Sequence, residues 1–531
     1  MNNISSLHFS SVQTSIEWTR MFRNTTTSSD RHIVSQYLLD AEQEMRSYDA
    51  EINRLQTAIH LLETKKTELK KSMIKCRSLL SPVHRLPTEI LLEVFSTPVQ
   101  DWFLSPLNEG VIKLSRVCGR WRDIIISAPK LWSSIDILFV EWRGKFRCLE
   151  KWVRLFLDRS KTLPLELKLE FCDRYTDQDD IGMLPVIHAL HDHAARWQDL
   201  YLAYAPSTFA LPPNHLGLPA LQQLQVYEVQ ADVMSSLLKN SPCLHTLDIS
   251  DIETGEEPPS NLPSHQIKTW NVSHTDVSPA FRYLARLPVL ETIYMHAMGS
   301  NDDFDLHNTE LRYYSNTVNS LTADFRNQHA LNATMQQLTL PRLTSLQVGG
   351  YYEGWEDEWP IWTGGAVTDF LSRSSCSLTS LCLRNLPVTD DQAISLLEHI
   401  PTLLALEIEE RSEYQDPEAE PVPLPNRIIT QPFLQRLTVR HEAFRSSPPF
   451  LSLLTDITFA MRKDDSIEQS LFNAVASRWI PDPVQAKQIG VKSLKSVTIT
   501  TLQRKGAPEE RRWLKSLESF RDAELRSKVT T

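Results

Sequence analysis

His188, His191 and His193, with Asp192 among them, group the residue types that bind metals. A zinc-type site needs three or four converging ligands. His188 and His191 stand three apart on a predicted helix, a spacing equally ordinary for packing or surface histidines, so no ligand is assigned. Gly-x-Ser-x-Gly, His-Glu-x-x-His and a flanked nucleophilic cysteine do not occur. The 14 glycines form neither a Gly-x-Gly-x-x-Gly nor a P-loop pattern. The expectation is no catalytic residue, no metal and no cofactor, which leaves noncovalent recognition. Trp355, Trp359 and Trp362 lie among Glu353, Glu356, Asp357 and Glu358. Exposed tryptophan is costly without a partner, which makes Trp355 and Trp359 candidate partner contacts. The alternative is that these rings fold back onto their own domain.

Composition narrows the classes of partner. The chain has 531 residues, beyond the size of one typical domain, so several domains or one long solenoid are expected. A net charge of -11 supplies no general attraction to phosphates, which argues against nucleic acid. No secretory h-region and no run of about 18 apolar residues is found, which argues against a membrane span. Seven dispersed cysteines without a Cys-x-x-Cys pair read as reduced thiols of the cytoplasm or nucleus. Residues 1–30, rich in Ser, Thr and Asn, read as a mobile leader.

Residues 31–80 carry a heptad seam. From Met45 the steps of three and four pass through Tyr48, Ile52, Leu55, Ile59, Leu62, Lys66, Leu69, Met73, Cys76 and Leu80. Acids (Asp40, Glu42, Glu44, Asp49, Glu51) fill the first half and bases (Lys65, Lys66, Lys70, Lys71, Lys75, Arg77) the second. With Met45 at position a, Lys65 and Lys70 take g and e and would repel in a parallel dimer. Antiparallel self-association, or pairing with an acidic helix, is therefore expected; a long helix packed on its own protein is the alternative. Ser81-Pro82 ends the helix.

The next segment, 82–135, has three apolar parts. Leu86, Pro87, Glu89, Ile90, Leu91, Val94 and Phe95 make a short helix opened by proline, with Ile90, Leu91, Val94 and Phe95 read as one face. Leu114, Val117, Cys118, Trp121 and Ile125 then share one face of a second helix, and Leu131 and Trp132 follow Pro129. The order Leu-Pro-x-Glu-Ile-Leu-x-x-Val-Phe, Leu-Ser-x-Val-Cys-x-x-Trp-Arg and Pro-x-Leu-Trp resembles an F-box-like domain of the fungal type, often preceded by a coiled coil. The resemblance spans about a tenth of the chain. It departs from the family at a longer Ser96–Gly110 segment containing Pro98, Trp102 and Pro106. The resemblance implies docking on the adaptor subunit of an SCF-type cullin ubiquitin ligase through the residues of these three parts from Leu86 to Trp132. It implies a non-catalytic receptor, consistent with the absence of a conjugation-type cysteine motif.

Residues 136–531 repeat a Leu-x-x-Leu-x-Leu frame: Trp197–Leu202, Leu221–Val226, Leu244–Ile249, Ile267–Val272 and Leu290–Met295 advance by 24, 23, 23 and 23 residues. This spacing resembles degenerate leucine-rich repeats. Later copies are read at Leu343–Val348, Leu378–Leu383, Leu403–Ile408, Leu434–Val439, Leu454–Phe459 and Leu494–Ile499, with insertions near 350–362 and 410–426. The expected fold is α/β: a long N-terminal helix, a small all-α domain, then a curved solenoid with a parallel sheet on its concave face. Alternate residues of each frame point outward, which nominates Gln225, Asp248, Asn271, Tyr294 and Glu407 as contacts for a client protein. The competing reading is a non-ligase scaffold that uses the coiled coil and repeats alone.

Overall fold

The computed structural model describes residues 21–97, 109–172, 177–252, 257–299, 312–351, 359, 362–411, 427–441, 449–462, 465–502 and 526–530. Trp355, most of the expected leader and most of the Ser96–Gly110, 350–362 and 410–426 segments lie outside them. The chain divides into two compact units, Met1–Glu93 and Val94–Thr531.

The first unit is dominated by helix α1 (Ser28–Leu79), whose 52 residues extend about 78 Å. It begins inside the expected leader because Thr27 and Asp30 form a capping box: Thr27 Oγ1 accepts from the Asp30 N–H, and Asp30 Oδ2 accepts from the Thr27 N–H at 2.9 Å. It stops where Pro82 opens a 3-10 turn, Pro82–Arg85. None of the residues of α1 is buried. Helix α2 (Thr88–Ser96) follows, and the division between the units falls within it.

In the second unit, helices α3 (Glu109–Ser115) and α4 (Gly119–Ser127) lead through a 3-10 turn, Pro129–Trp132, into a sheet. The single second helix expected from periodicity is two. Ser115 turns its hydroxyl onto Ile112 O, residues 116 and 117 close tight i to i-3 turns, and Cys118 is extended at φ -157°. Arg122 Nε then donates to Ser115 O at 3.1 Å, satisfying a carbonyl at the end of α3.

Among the described residues, fourteen strands form one sheet in chain order, parallel at every pairing. Its first half comprises β1 (Ser134–Leu138), β2 (Leu165–Glu170), β3 (Trp197–Ala203), β4 (Gln223–Tyr227), β5 (Thr246–Ser250), β6 (Thr269–Ser273) and β7 (Thr292–Met298). A two-stranded ladder of β8 (Tyr313–Tyr314) and β10 (Leu338–Thr339) stands apart. The second half comprises β9 (Ser320–Phe325), β11 (Ser345–Gly350), β12 (Ser380–Arg384), β13 (Ala405–Glu409), β14 (Asp456–Arg462), β15 (Ser496–Leu502) and β16 (Arg526–Thr530). Helices, 3-10 turns or loops connect successive strands, as parallel pairing requires.

Register builds the core. Leu200, Leu224, Leu247, Trp270, Ile293, Leu321, Leu346, Leu381 and Leu406 lie side by side in adjacent strands and are buried. Strand exits repeat as well. Tyr204, Glu228, Asp251 and His274, each directly after a strand, adopt positive φ at successive spacings of 24, 23 and 23 residues, and Ala297, 23 residues further on, does so within β7 where its pairing to β9 shifts register. The left-handed turn aims backbone N–H groups at the next strand: Tyr204 donates to Tyr227 O, Asp251 to Ser273 O and His274 to His296 O, at 2.9–3.0 Å. Asn385, after β12, makes the same corner with a residue suited to positive φ and donates to Glu409 O at 2.8 Å, whereas the corners at Tyr204, Glu228, Asp251 and His274 lack Asn or Gly and their strain is held by the stacked neighbours.

Leu434–Val439 departs from expectation. Gln431–Leu437 is a helix, because Thr430 caps it by accepting from the Phe433 N–H and Pro432 suits its first turn. Behind it Arg478 is buried, donating to Leu437 O, Leu451 O and Phe450 O at 2.6, 2.9 and 2.6 Å. Burial lowers its pKa to about 10, which leaves it charged at neutral pH. Glu410, also buried, accepts from the Ile429 and Arg462 N–H groups at 3.1 Å beside the Arg427 and Arg462 guanidinia. These charged hydrogen bonds tie irregular backbone to the strands.

Candidate functional site

The residues nominated between Leu86 and Trp132 separate by exposure. On α2, Leu91 and Phe95 are 1% and 7% exposed, whereas Ile90 and Val94 are 49% and 56% exposed. The one apolar face expected from sequence is therefore two stripes, each with i, i+4 spacing. Glu89 stands in the first turn of α2, where a carboxylate favours the helix dipole, directly after Leu86 and Pro87.

Within the second unit, Phe95 meets Trp121 with ring centroids 4.8 Å apart, which fixes the end of α2 on α4. Leu114, Cys118 and Trp121 are partly buried, and Val117, in the turn between α3 and α4, is 59% exposed. Leu131 and Trp132 are buried. The Trp132 indole donates to Ile125 O at 2.8 Å, crosses Phe156 edge-on at 4.9 Å and lies 4.3 Å beneath the Arg159 guanidinium. These two residues, with Leu91 and Phe95, are enclosed in this conformation and belong to the core. Sequence reasoning missed Ile126, exposed on α4 beside the buried Ile124 and Ile125. The Ile124-Ile125-Ile126 run hid it, since three consecutive apolar residues cannot all face one side of a helix.

The sheet's outer face brings a second nominated set together. Gln225, Asp248, Asn271 and Tyr294 are successive register partners on β4 to β7, about 4.8 Å apart per strand. The same row continues through Thr322, Gln347 and Cys382 to Glu407 on β13. Asn271 Nδ2 donates to Asp248 Oδ2 at 3.3 Å. Burial raises the Asp248 pKa, and this bond opposes the rise. Burial also raises the Cys382 thiol to about 12, with Glu407 adding to the effect, so it is no thiolate nucleophile at neutral pH. At the first end of the face a shallow hollow is lined by Lys168, Asp199, Tyr201, Gln223 and Gln225. The next row carries the His296–Asp324 hydrogen bond at 3.1 Å and the Arg384–Glu409 ion pair at 2.8 Å. Gly349 lies beside Asp324, whose carboxylate occupies the space a Cβ there would take. The face thus offers alternating hydrogen-bond donors, acceptors and aromatic edges.

Trp359 does not join this surface. It is 2% exposed, its indole donates to Gln328 Oε1 at 3.1 Å, and its ring lies 6.2 Å from that of the buried Trp362. Folding back removes a large apolar area from water and satisfies the N–H, so its nomination as a client contact is corrected. His191 is likewise a core residue, packed 5.3 Å from Phe209 and 5.9 Å from Trp197. Burial, reinforced by the His215 and His188 charges, lowers its pKa to about 4. Among the described residues no grouping of three His, Cys, Asp or Glu side chains suits a metal ion, no helix is long and apolar enough to cross a membrane, and no disulfide joins the cysteines.

A search of curated proteins finds no match to this chain. A family model does match, and it covers the α2, α3 and α4 helices, the Pro129–Trp132 turn and β1. Residues 83–138 of this chain are an F-box-like domain.

Proposed function

We propose that this chain is the substrate-recognition subunit of an SCF-type cullin ubiquitin ligase. The F-box-like domain docks on the SCF adaptor, and through it on a cullin. The parallel sheet, read as the inner face of a leucine-rich-repeat solenoid of the fungal F-box type, holds a client protein. The observation that carries this reading is the F-box-like match over residues 83–138. It is supported by exposed Ile90, Val94, Val117 and Ile126, apolar residues available to a partner. The 23-residue recurrence of left-handed strand exits supports the solenoid reading, and the Gln225-to-Glu407 row suits a polar protein surface.

Function follows from recruitment. Holding a client beside the conjugating enzyme raises the effective concentration of its lysines, and no bond is made or broken by this chain. Such work belongs in the cytoplasm or nucleus. The test is co-purification of the full chain with an SCF adaptor and a cullin. Capture that is lost on Val94→Asp and Val117→Asp supports the reading, and a folded chain that captures no adaptor overturns it.

A further inference from the structure

Helix α1 exposes its seam along its whole length: Met45, Ile52, Leu55, Ile59, Leu62 and Leu69 are each at least half exposed, and none of the 52 residues is buried. A helix with such a stripe needs a cover, since burial of its apolar face supplies most of a helix's stability in water. Charge identifies the cover. We propose that α1 pairs with α1 of a second copy of this chain, antiparallel, in the register that sets Ile59 of each copy opposite Leu62 of the other.

In an antiparallel coil, position a packs on d of the partner, and e faces e. The register named sets Ile52 on Leu69 and Met45 on Cys76, and it brings Glu42 to Arg77, Asp49 to Lys70 and Gln56 to Glu63. Each pair occurs twice by symmetry. A shift of one heptad in one direction sets Glu63 against Glu63; a shift in the other sets Asp49 against Glu63. A parallel in-register pair sets Glu44 against Asp49 and Lys65 against Lys70. Among these four arrangements, only the named register has no like-charge e–e or g–e contact. Within one copy, Glu42 and Arg46 make an exposed pair at 3.4 Å, which is weak enough to yield to Arg77 of the second copy. The lysine at seam position 66 lies opposite Leu55 and reaches past it to water.

The inference is independent of adaptor docking. It is tested on the full chain by light scattering and by disulfide trapping under mild oxidation. Cys76 of the two copies lies about 46 Å apart in the antiparallel register, since Cys76 faces position 45, but side by side in a parallel pair. The expected results are a dimer, no cross-link through native Cys76, and a cross-link in Met45→Cys that disappears when Cys76→Ser is added. Asp49→Lys raises the dimer dissociation constant about 30-fold by replacing two attractions with two repulsions, and Lys70→Asp added to it restores pairing. A monomer at about 100 μM, a cross-link through native Cys76, or a monomeric chain that instead captures a foreign acidic helix overturns the proposal.

Discussion

Trp132 belongs to the matched domain, yet its setting is that of a core residue, and replacing it separates folding from docking. The indole is 1% exposed and held on three sides: by Phe156 at 4.9 Å, by Arg159 at 4.3 Å and by the N–H bond to Ile125 O at 2.8 Å. Trp132→Ala deletes the ring, leaves a cavity and removes one of the two donors to Ile125 O, the other being the Ala128 N–H; together these losses cost about 4 kcal/mol. Trp132→Phe keeps most of the packing and loses the hydrogen bond and part of the cation–π attraction, a cost of about 1–2 kcal/mol. Urea unfolding followed by circular dichroism reads both, with Val117→Asp as a surface control that leaves the midpoint in place. The reasoning is refuted if Trp132→Ala unfolds within about 1 kcal/mol of the parent, or if Trp132→Phe costs as much as Trp132→Ala.

Two further outcomes follow from buried ionisable groups. Because the folded-state pKa of His191 lies near 4 and an unfolded histidine titrates near 6.5, the unfolded chain binds the extra proton first. Stability is full above about pH 6.5 and falls as pH drops toward 4, by up to about 3 kcal/mol, and His191→Phe removes this part of the slope in melting curves taken across that range. Arg478→Met removes the guanidinium donors from the carbonyls of Leu437, Phe450 and Leu451, of which Leu451 O keeps the Leu454 N–H, and costs about 3–5 kcal/mol in urea unfolding; Arg478→Lys restores only part, since one ammonium cannot reproduce the planar fork. A stable Arg478→Met protein would contradict the role assigned to that guanidinium.

The parts legible in the sequence are those where local pattern and tertiary setting agree. The leucine frames at Leu221–Val226, Leu244–Ile249, Ile267–Val272 and Leu290–Met295 end in strands because each buried leucine lies beside its counterpart on the next strand. β9 escaped notice because Val318, Leu321 and Ala323 fill the frame with smaller residues, although all three are buried. β2 escaped it despite the clean alternation of Leu165, Leu167 and Leu169, and β16 because Arg526–Thr530 is largely polar. Leu434–Val439 matched the frame and formed a helix, since a cap at Thr430 and a proline two residues later act before any strand partner is met. The break between α3 and α4 was hidden because Leu114, Val117, Cys118 and Trp121 keep helical spacing across it. At the residues nominated between Leu86 and Trp132, type was legible and exposure was not. Apolar side chains at adjacent positions, Ile90 and Leu91 or Val94 and Phe95, divide between core and surface only when the neighbouring elements are in place.

The central claim is that the F-box-like domain docks this chain on an SCF adaptor. Its most direct test is isothermal titration of purified adaptor into the full chain. The account predicts saturable binding with one adaptor per chain, lost in Val94→Asp/Val117→Asp while the unfolding midpoint of that variant stays with the parent. A folded parent that gives no heat of binding, or a double variant that binds as tightly as the parent, would contradict it.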